Sequence, residues 1–185
     1  GPRLRSAHGI TPLLRLVGLV AFAIVLVVLL VVWVQGCSSD KQRETYNDYM
    51  TDIGAVGTDS AAIGDELATL LTTPGLKQAK LVTDLTGLIS QQQQGVTRAQ
   101  DIDPPGPLTP PHEHAIEALQ LRVSGMQRML QTFKATASSD EASAAGLQLA
   151  AQATRLEASD VVWADLFRAD SEAVMADEDV TGVTA

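Results

Sequence analysis

Cysteine is nearly missing from this chain: Cys37 stands alone, so no disulfide can form within it and the fold must hold by packing. Asparagine is as scarce. Asn47 is the only one, and Asp48-Tyr49 follow it, so the sequence has no acceptor for N-linked glycosylation. Aromatic residues make up 4% of the chain, which leaves aliphatic side chains and alanine to build a core of closely approaching helices. Acidic residues are absent from residues 1–36, which carry Arg3, Arg5 and Arg15. The chain as a whole has a net charge of −9, so residues 37–185 carry −12, from 10 basic and 22 acidic side chains. A portion this acidic, with no basic stripe, repels phosphate backbones, which excludes nucleic acid as a partner. No nucleophile elbow, phosphate loop or dinucleotide fingerprint occurs either. The expectation is a protein that is not an enzyme and uses no cofactor.

One long apolar run is present. Leu16 to Val34 are 19 residues without a charge. As a helix they would extend roughly 28 Å, close to the ~30 Å hydrocarbon core of a bilayer. Trp33 stands at one end, where an indole favours the interface, and Arg15 at the other, where it can snorkel. The reading is a single transmembrane helix over 16–36, with a short basic cytoplasmic tail at 1–15 and the rest of the chain outside the cytoplasm. The alternative is a lipoprotein: Val34-Gln35-Gly36-Cys37 resembles a lipobox, which would make Cys37 the lipidation site. The length of the run and Gln35 favour the uncleaved anchor.

Beyond the span the periodicity is helical throughout. Tyr46, Tyr49, Ile53, Val56, Ser60, Ile63, Leu67 and Leu70 recur in steps of three and four, an apolar seam of more than three heptads. Pro74-Gly75 ends it. A second helix carries Leu81, Leu85, Leu88 and Val96, with Gln91–Gln94 read as a polar face interrupting the seam. Asp103 to Pro111 reads as a stiff connector, with Thr109 capping the third helix. That helix carries His112, Ile116, Leu119, Val123, Met126, Leu130 and Phe133. Ser138 and Glu141 form a capping box for the fourth, where Leu149, Leu156 and Trp163 recur every seven residues and Leu166 and Phe167 complete the apolar end. The spacing predicts helices over about 40–72, 77–100, 110–137 and 139–175, a Pro-rich connector over 102–111, and a frayed acidic tail at 177–185. The fold class expected is all-α: the transmembrane helix, then an antiparallel up-down-up-down four-helix bundle over 37–176.

His112-Glu113-His114 is the one histidine cluster. Metal sites on a single helix want ligands at i and i+4, whereas a spacing of two points the rings about 200° apart. Glu117 could join His114, but no third ligand is evident, so His112, His114 and Glu117 remain weak metal candidates beside a bland reading as seam and first-turn residues. No glutamate is followed three residues later by histidine, which excludes a di-metal carboxylate bundle. Asp177-Glu178-Asp179 lacks the spacing of a calcium loop. Trp163 reads as core.

The strings Tyr46-Asn47-Asp48-Tyr49-Met50, Pro74-Gly75-Leu76, Asp103-Pro104-Pro105-Gly106-Pro107-Leu108 and Leu119-Gln120-Leu121-Arg122-Val123-Ser124-Gly125, with Leu71, follow one another in an order that resembles a group of uncharacterised single-pass membrane proteins of actinobacteria. The resemblance covers nearly the whole chain and implies topology alone, since the group has no assigned activity. An alanine- and arginine-rich, lysine-poor composition is in keeping with a high-GC bacterial genome. Together these readings predict a membrane-anchored interaction or scaffolding module of the cell envelope, with a protein partner or self-association through the helical seams. A ligand-sensing bundle that signals through a partner membrane protein is the alternative.

Overall fold

A computed structural model describes residues 11–135 and 142–185, with side chains at 22–27, 39–135 and 149–185. The described residues are helical, joined by turns, and the fold is all-α. The elements are α1 (Thr11–Thr72), α2 (Gln78–Asp101), a 3-10 turn (Gly106–Leu108), α3 (Thr109–Ala135), α4 (Ala142–Val161), a π-helical stretch (Val162–Arg168) and α5 (Ala169–Asp177). The chain divides into two compact units, Gly1–Gln42 and Arg43–Ala185.

In the first unit, Phe22 to Val27 are six consecutive exposed residues, from Leu26 at 44% to Phe22 at 64% among the large ones. Among the described residues no helix is long and apolar enough to cross a membrane. The expected span at 16–36 is described only at these six side chains. Arg15, Trp33 and Cys37, like the capping box at Ser138 and Glu141, lie outside the described side chains.

The second unit is built on the seam of α1. Tyr46, Tyr49, Ile53, Val56, Ser60, Ile63 and Leu67 are all buried, because steps of three and four keep them within one face of the helix. α1 stops where Pro74 forbids helix to its predecessor, and Gly75 takes a left-handed turn at φ +72°. The hydroxyls of Thr72 and Thr73 donate back to the carbonyls of Ala68 and Thr69. α2 corrects the sequence reading at one residue. Gln92, assigned to a polar face, is fully buried, so the seam runs on through Leu85, Leu88, Gln92 and Ala99.

The connector is shorter than expected. Gly106–Leu108 form a 3-10 turn that feeds directly into α3, and Leu108 is fully buried. Thr109 is therefore already helical (φ −57°, ψ −48°) and belongs to the helix instead of capping it. Pro110 and Pro111 occupy the first turn, where a missing N–H removes no bond.

After Val161 the helix widens: the Ala169 amide donates to the Ala164 carbonyl, five residues back. The consequence is visible in the burial pattern. Ser159, Phe167, Ser171 and Met175 are buried and Trp163 half-buried, a run in steps of four. Such a run drifts by about 40° per step in an ordinary α-helix, and the slower winding of the π stretch restores it to one face. Leu166, expected to finish the apolar end, is exposed.

Residues 177–185, expected to fray, fold back on the core through Val180, Val183 and Ala185. Asp179 sits at φ 55°, its amide donating to Ala176 and that of Val180 to Met175 at 2.8 Å. This is a Schellman motif with its hydrophobic contact, since Val180 and Met175 share one cluster and Val183 and Ala185 pack against it.

The core falls into two clusters. One gathers Tyr46, Tyr49, Ile53, Val56, Leu108, Leu119 and Phe167; the other gathers Ile63, Leu67, Leu85, Leu88, Met126 and Met129. Cross-helix pairs fix the register. Ser60 meets Gln92, Gln78 donates to the Phe133 carbonyl, Arg122 meets Asp160, and Leu156 lies against Gly125.

Candidate functional site

The division between the two apolar clusters is occupied by polar side chains, one from each of four helices. Ser60 stands between Val56 and Ile63 on α1, and Gln92 between Ile89 and Ala99 on α2. Arg122 stands between Leu119 and Met126 on α3, and Asp160 between Leu156 on α4 and Trp163 in the π-helical stretch. They form one chain of hydrogen bonds. Gln92 Nε2 donates to Ser60 Oγ at 3.0 Å, and Oγ lies 3.1 Å from Gln92 Oε1. Arg122 Nη1 donates to the Ser60 carbonyl at 2.7 Å and to its Oγ at 2.9 Å. Arg122 Nη2 donates to the Asp160 carboxylate. The Ser60 hydroxyl thus uses its proton and both lone pairs, which is what a buried hydroxyl needs to repay its loss of water. Nearby, Arg98 pairs with Asp59 at 2.7 Å on the surface.

A cleft of about 500 Å³ opens beside this chain. Met50, Ile53, Leu119, Trp163 and Phe167 give it an apolar wall, and Thr58, Ser60, Arg122, Ser159, Asp160 and Arg168 are its polar side chains, with Ala185 at its margin. The two rings meet at 4.7 Å between centroids, tilted by 56°. Gly57 lets the indole lie on the α1 backbone: a β-carbon there would stand 2.5 Å from Trp163 Cζ2. A smaller cleft of about 380 Å³ shares Arg122 and Asp160, so the ion pair separates the two.

Tyr49 and His112 form a second buried polar contact, Oη to Nδ1 at 3.1 Å. Burial lowers the His112 pKa, opposed by Glu113, by a hydrogen bond to the Ala99 backbone and by Asp103. Burial also raises the Tyr49 phenol well above its ordinary range. A neutral ring that accepts from the tyrosine through Nδ1 and keeps its proton on the other nitrogen satisfies both contacts.

The weak metal candidates are not brought together. His112 is in the core against Tyr49, while His114 is half-buried at the surface, its Nδ1 3.4 Å from the exposed Glu117. Among the described residues no group of three or more histidine, cysteine, aspartate or glutamate side chains could hold a metal ion. Sequence reasoning missed Gln92, Arg122 and Asp160. The available signal was a polar residue in register with the seam on successive helices, which Ser60 already displayed. No family model, curated protein or solved structure matches the chain.

Proposed function

We propose that this chain is a membrane-anchored helical interaction module of the bacterial cell envelope, with no enzymatic activity of its own. In this reading one N-terminal transmembrane helix over 16–36 carries an antiparallel up-down-up-down bundle outside the cytoplasm. The observation that carries the anchor is Phe22–Val27. Six consecutive residues at about 100° each point in every direction around the helix axis, and all six are exposed. Apolar side chains bare on every side of a helix call for lipid or a partner around them. The bundle topology is supported by the register of the cross-helix pairs and by the polar layer that receives one residue from each helix. The interaction role is supported by the form of the polar residues, which tie helices to one another.

Alkaline carbonate extraction of membranes, with alkaline phosphatase fused at the C-terminus, tests the anchor and its orientation. Retention in the pellet with an active phosphatase is the expected result. Release into the supernatant, or an active reporter only when a cytoplasmic enzyme is fused instead, would sink it. The cleft beside Arg122 favours a second reading, a ligand-sensing bundle that signals through a partner membrane protein.

A further inference from the structure

We infer that the cleft beside the Arg122–Asp160 pair binds a small amphipathic anion, a carboxylate borne on a flat apolar body. The inference deepens the ligand-sensing reading and does not depend on the membrane anchor. At about 500 Å³ the cleft falls within the range of small-molecule sites, and it sets an apolar wall against a polar side, as such sites do. The indole of Trp163, lying against the bare backbone at Gly57, is the flat part of that wall, and the Phe167 ring stands beside it at a tilt of 56°.

Two guanidinium groups, Arg122 and Arg168, line the cleft together with the Asp160 carboxylate and the last residue, Ala185, and Arg122 is the one of these groups that is largely withdrawn from solvent. Arg122 is also held in place. Its Nη1 is spent on the carbonyl and hydroxyl of Ser60, and the buried amide of Gln92 holds that hydroxyl from behind. A guanidinium fixed on one side presents its other donors in a set direction, the condition for selective recognition of a carboxylate.

Asp160 marks where that carboxylate would sit. It is bonded to Nη2 while 62% of its side chain remains in solvent, so it can return to water at small cost. It acts as a tethered stand-in that an incoming carboxylate displaces, with Arg168 adding a second positive charge at the mouth.

Isothermal titration calorimetry of the full chain in phosphatidylcholine nanodiscs tests this, with naphthalene-1-carboxylate as the probe and empty nanodiscs as the blank. A saturable one-site heat is expected for the carboxylate, with naphthalene-1-carboxamide binding about tenfold more weakly. Arg122→Gln should weaken carboxylate binding about tenfold, while Asp160→Asn should tighten it several-fold by removing the competitor. Opposite effects from the two partners of one ion pair distinguish recognition from mere structural support. Should Arg122→Gln lose its helical circular dichroism, Arg168→Gln at the exposed rim replaces it, with a smaller weakening expected. Equal affinity for the carboxamide, or no gain from Asp160→Asn, would overturn the anion assignment while leaving a ligand site. No saturable heat from either compound would overturn the assignment and the ligand-sensing reading together, without touching the anchor.

Discussion

Tyr49 and His112, 63 positions apart, share a hydrogen bond of 3.1 Å with both side chains buried, and this joins α1 to the start of α3. The bond depends on an imidazole that stays neutral. Burial sets the folded pKa of His112 below its ordinary value of 6.5, so below that value the unfolded chain takes up a proton that the folded chain refuses. Stability should therefore be full above about pH 6.5 and fall as pH drops from there toward the folded pKa. Tyr49 has the opposite sign. Its pKa is raised on folding, so stability should fall as pH climbs above 10, where the unfolded chain loses its phenolic proton first. Urea denaturation across pH 5 to 8 checks the first arm. His112→Gln should flatten that slope, and an unchanged slope would mean other groups produce it.

Ser60 is the hub of the polar layer, so its removal should cost more than removal of the amide behind it. Ser60→Ala strips an acceptor from Arg122 and leaves the fully buried Gln92 amide without its partner. The expected loss is about 1–3 kcal/mol by denaturant unfolding. Gln92→Leu replaces the amide with an apolar side chain of similar size and leaves Ser60 bonded to Arg122, so its loss should be smaller. In the double variant the two effects should be less than additive, because the amide orphaned by the first change is no longer there. Simple additivity would show that the two residues do not share one network.

How much of this was legible beforehand depends on the residue type. The α1 seam could be read from spacing because its members are apolar and helical period alone sorts them. Ser60 was placed in that seam for the same reason. Gln92 was not, because a run of four glutamines looks like solvent-facing sequence until a partner on another helix is known. Arg122 and Asp160 are ordinary surface residues by type, and only the packing of α3 against α4 brings them together. The π stretch was hidden because Leu149, Leu156 and Trp163 keep a seven-residue repeat up to its start. The later steps of four from Trp163 to Met175 held the signal. At the end of the chain, acidic composition suggested fraying, while the contacts made by Val180 and Val183 are non-local and invisible to composition.

Gly57 owes its place to Trp163. A β-carbon at Gly57 would lie 2.5 Å from Cζ2 of the indole and 3.1 Å from Cη2, so the ring or the helix must move. Gly57→Ala should destabilise the protein by about 1–3 kcal/mol, the usual cost of overpacking, despite alanine's better helix propensity. Trp163→Phe shortens the ring and should relieve the clash, making the double variant more stable than the two losses summed. Thermal unfolding followed by circular dichroism measures both. A stabilised Gly57→Ala would mean that helix propensity outweighs the contact and that the indole is free to shift.

Asp179 holds a left-handed conformation, φ 55°, at the position where a helix-ending motif prefers glycine. An aspartate there bears a steric penalty that glycine escapes, although glycine loses more backbone freedom on folding. The two effects oppose one another. The conformational penalty of roughly 1–2 kcal/mol exceeds the few tenths expected from the entropy difference at an end position. Asp179→Gly should therefore stabilise the protein by up to about 1 kcal/mol and raise its melting temperature by a few degrees. Asp179→Pro should do the reverse, because its ring forbids positive φ and removes the amide that donates to Ala176. Val180→Ala should also destabilise, since Val180 closes the motif against Met175 in the core. If all three substitutions left the melting temperature unchanged, the segment after Asp177 would not be held as this motif requires.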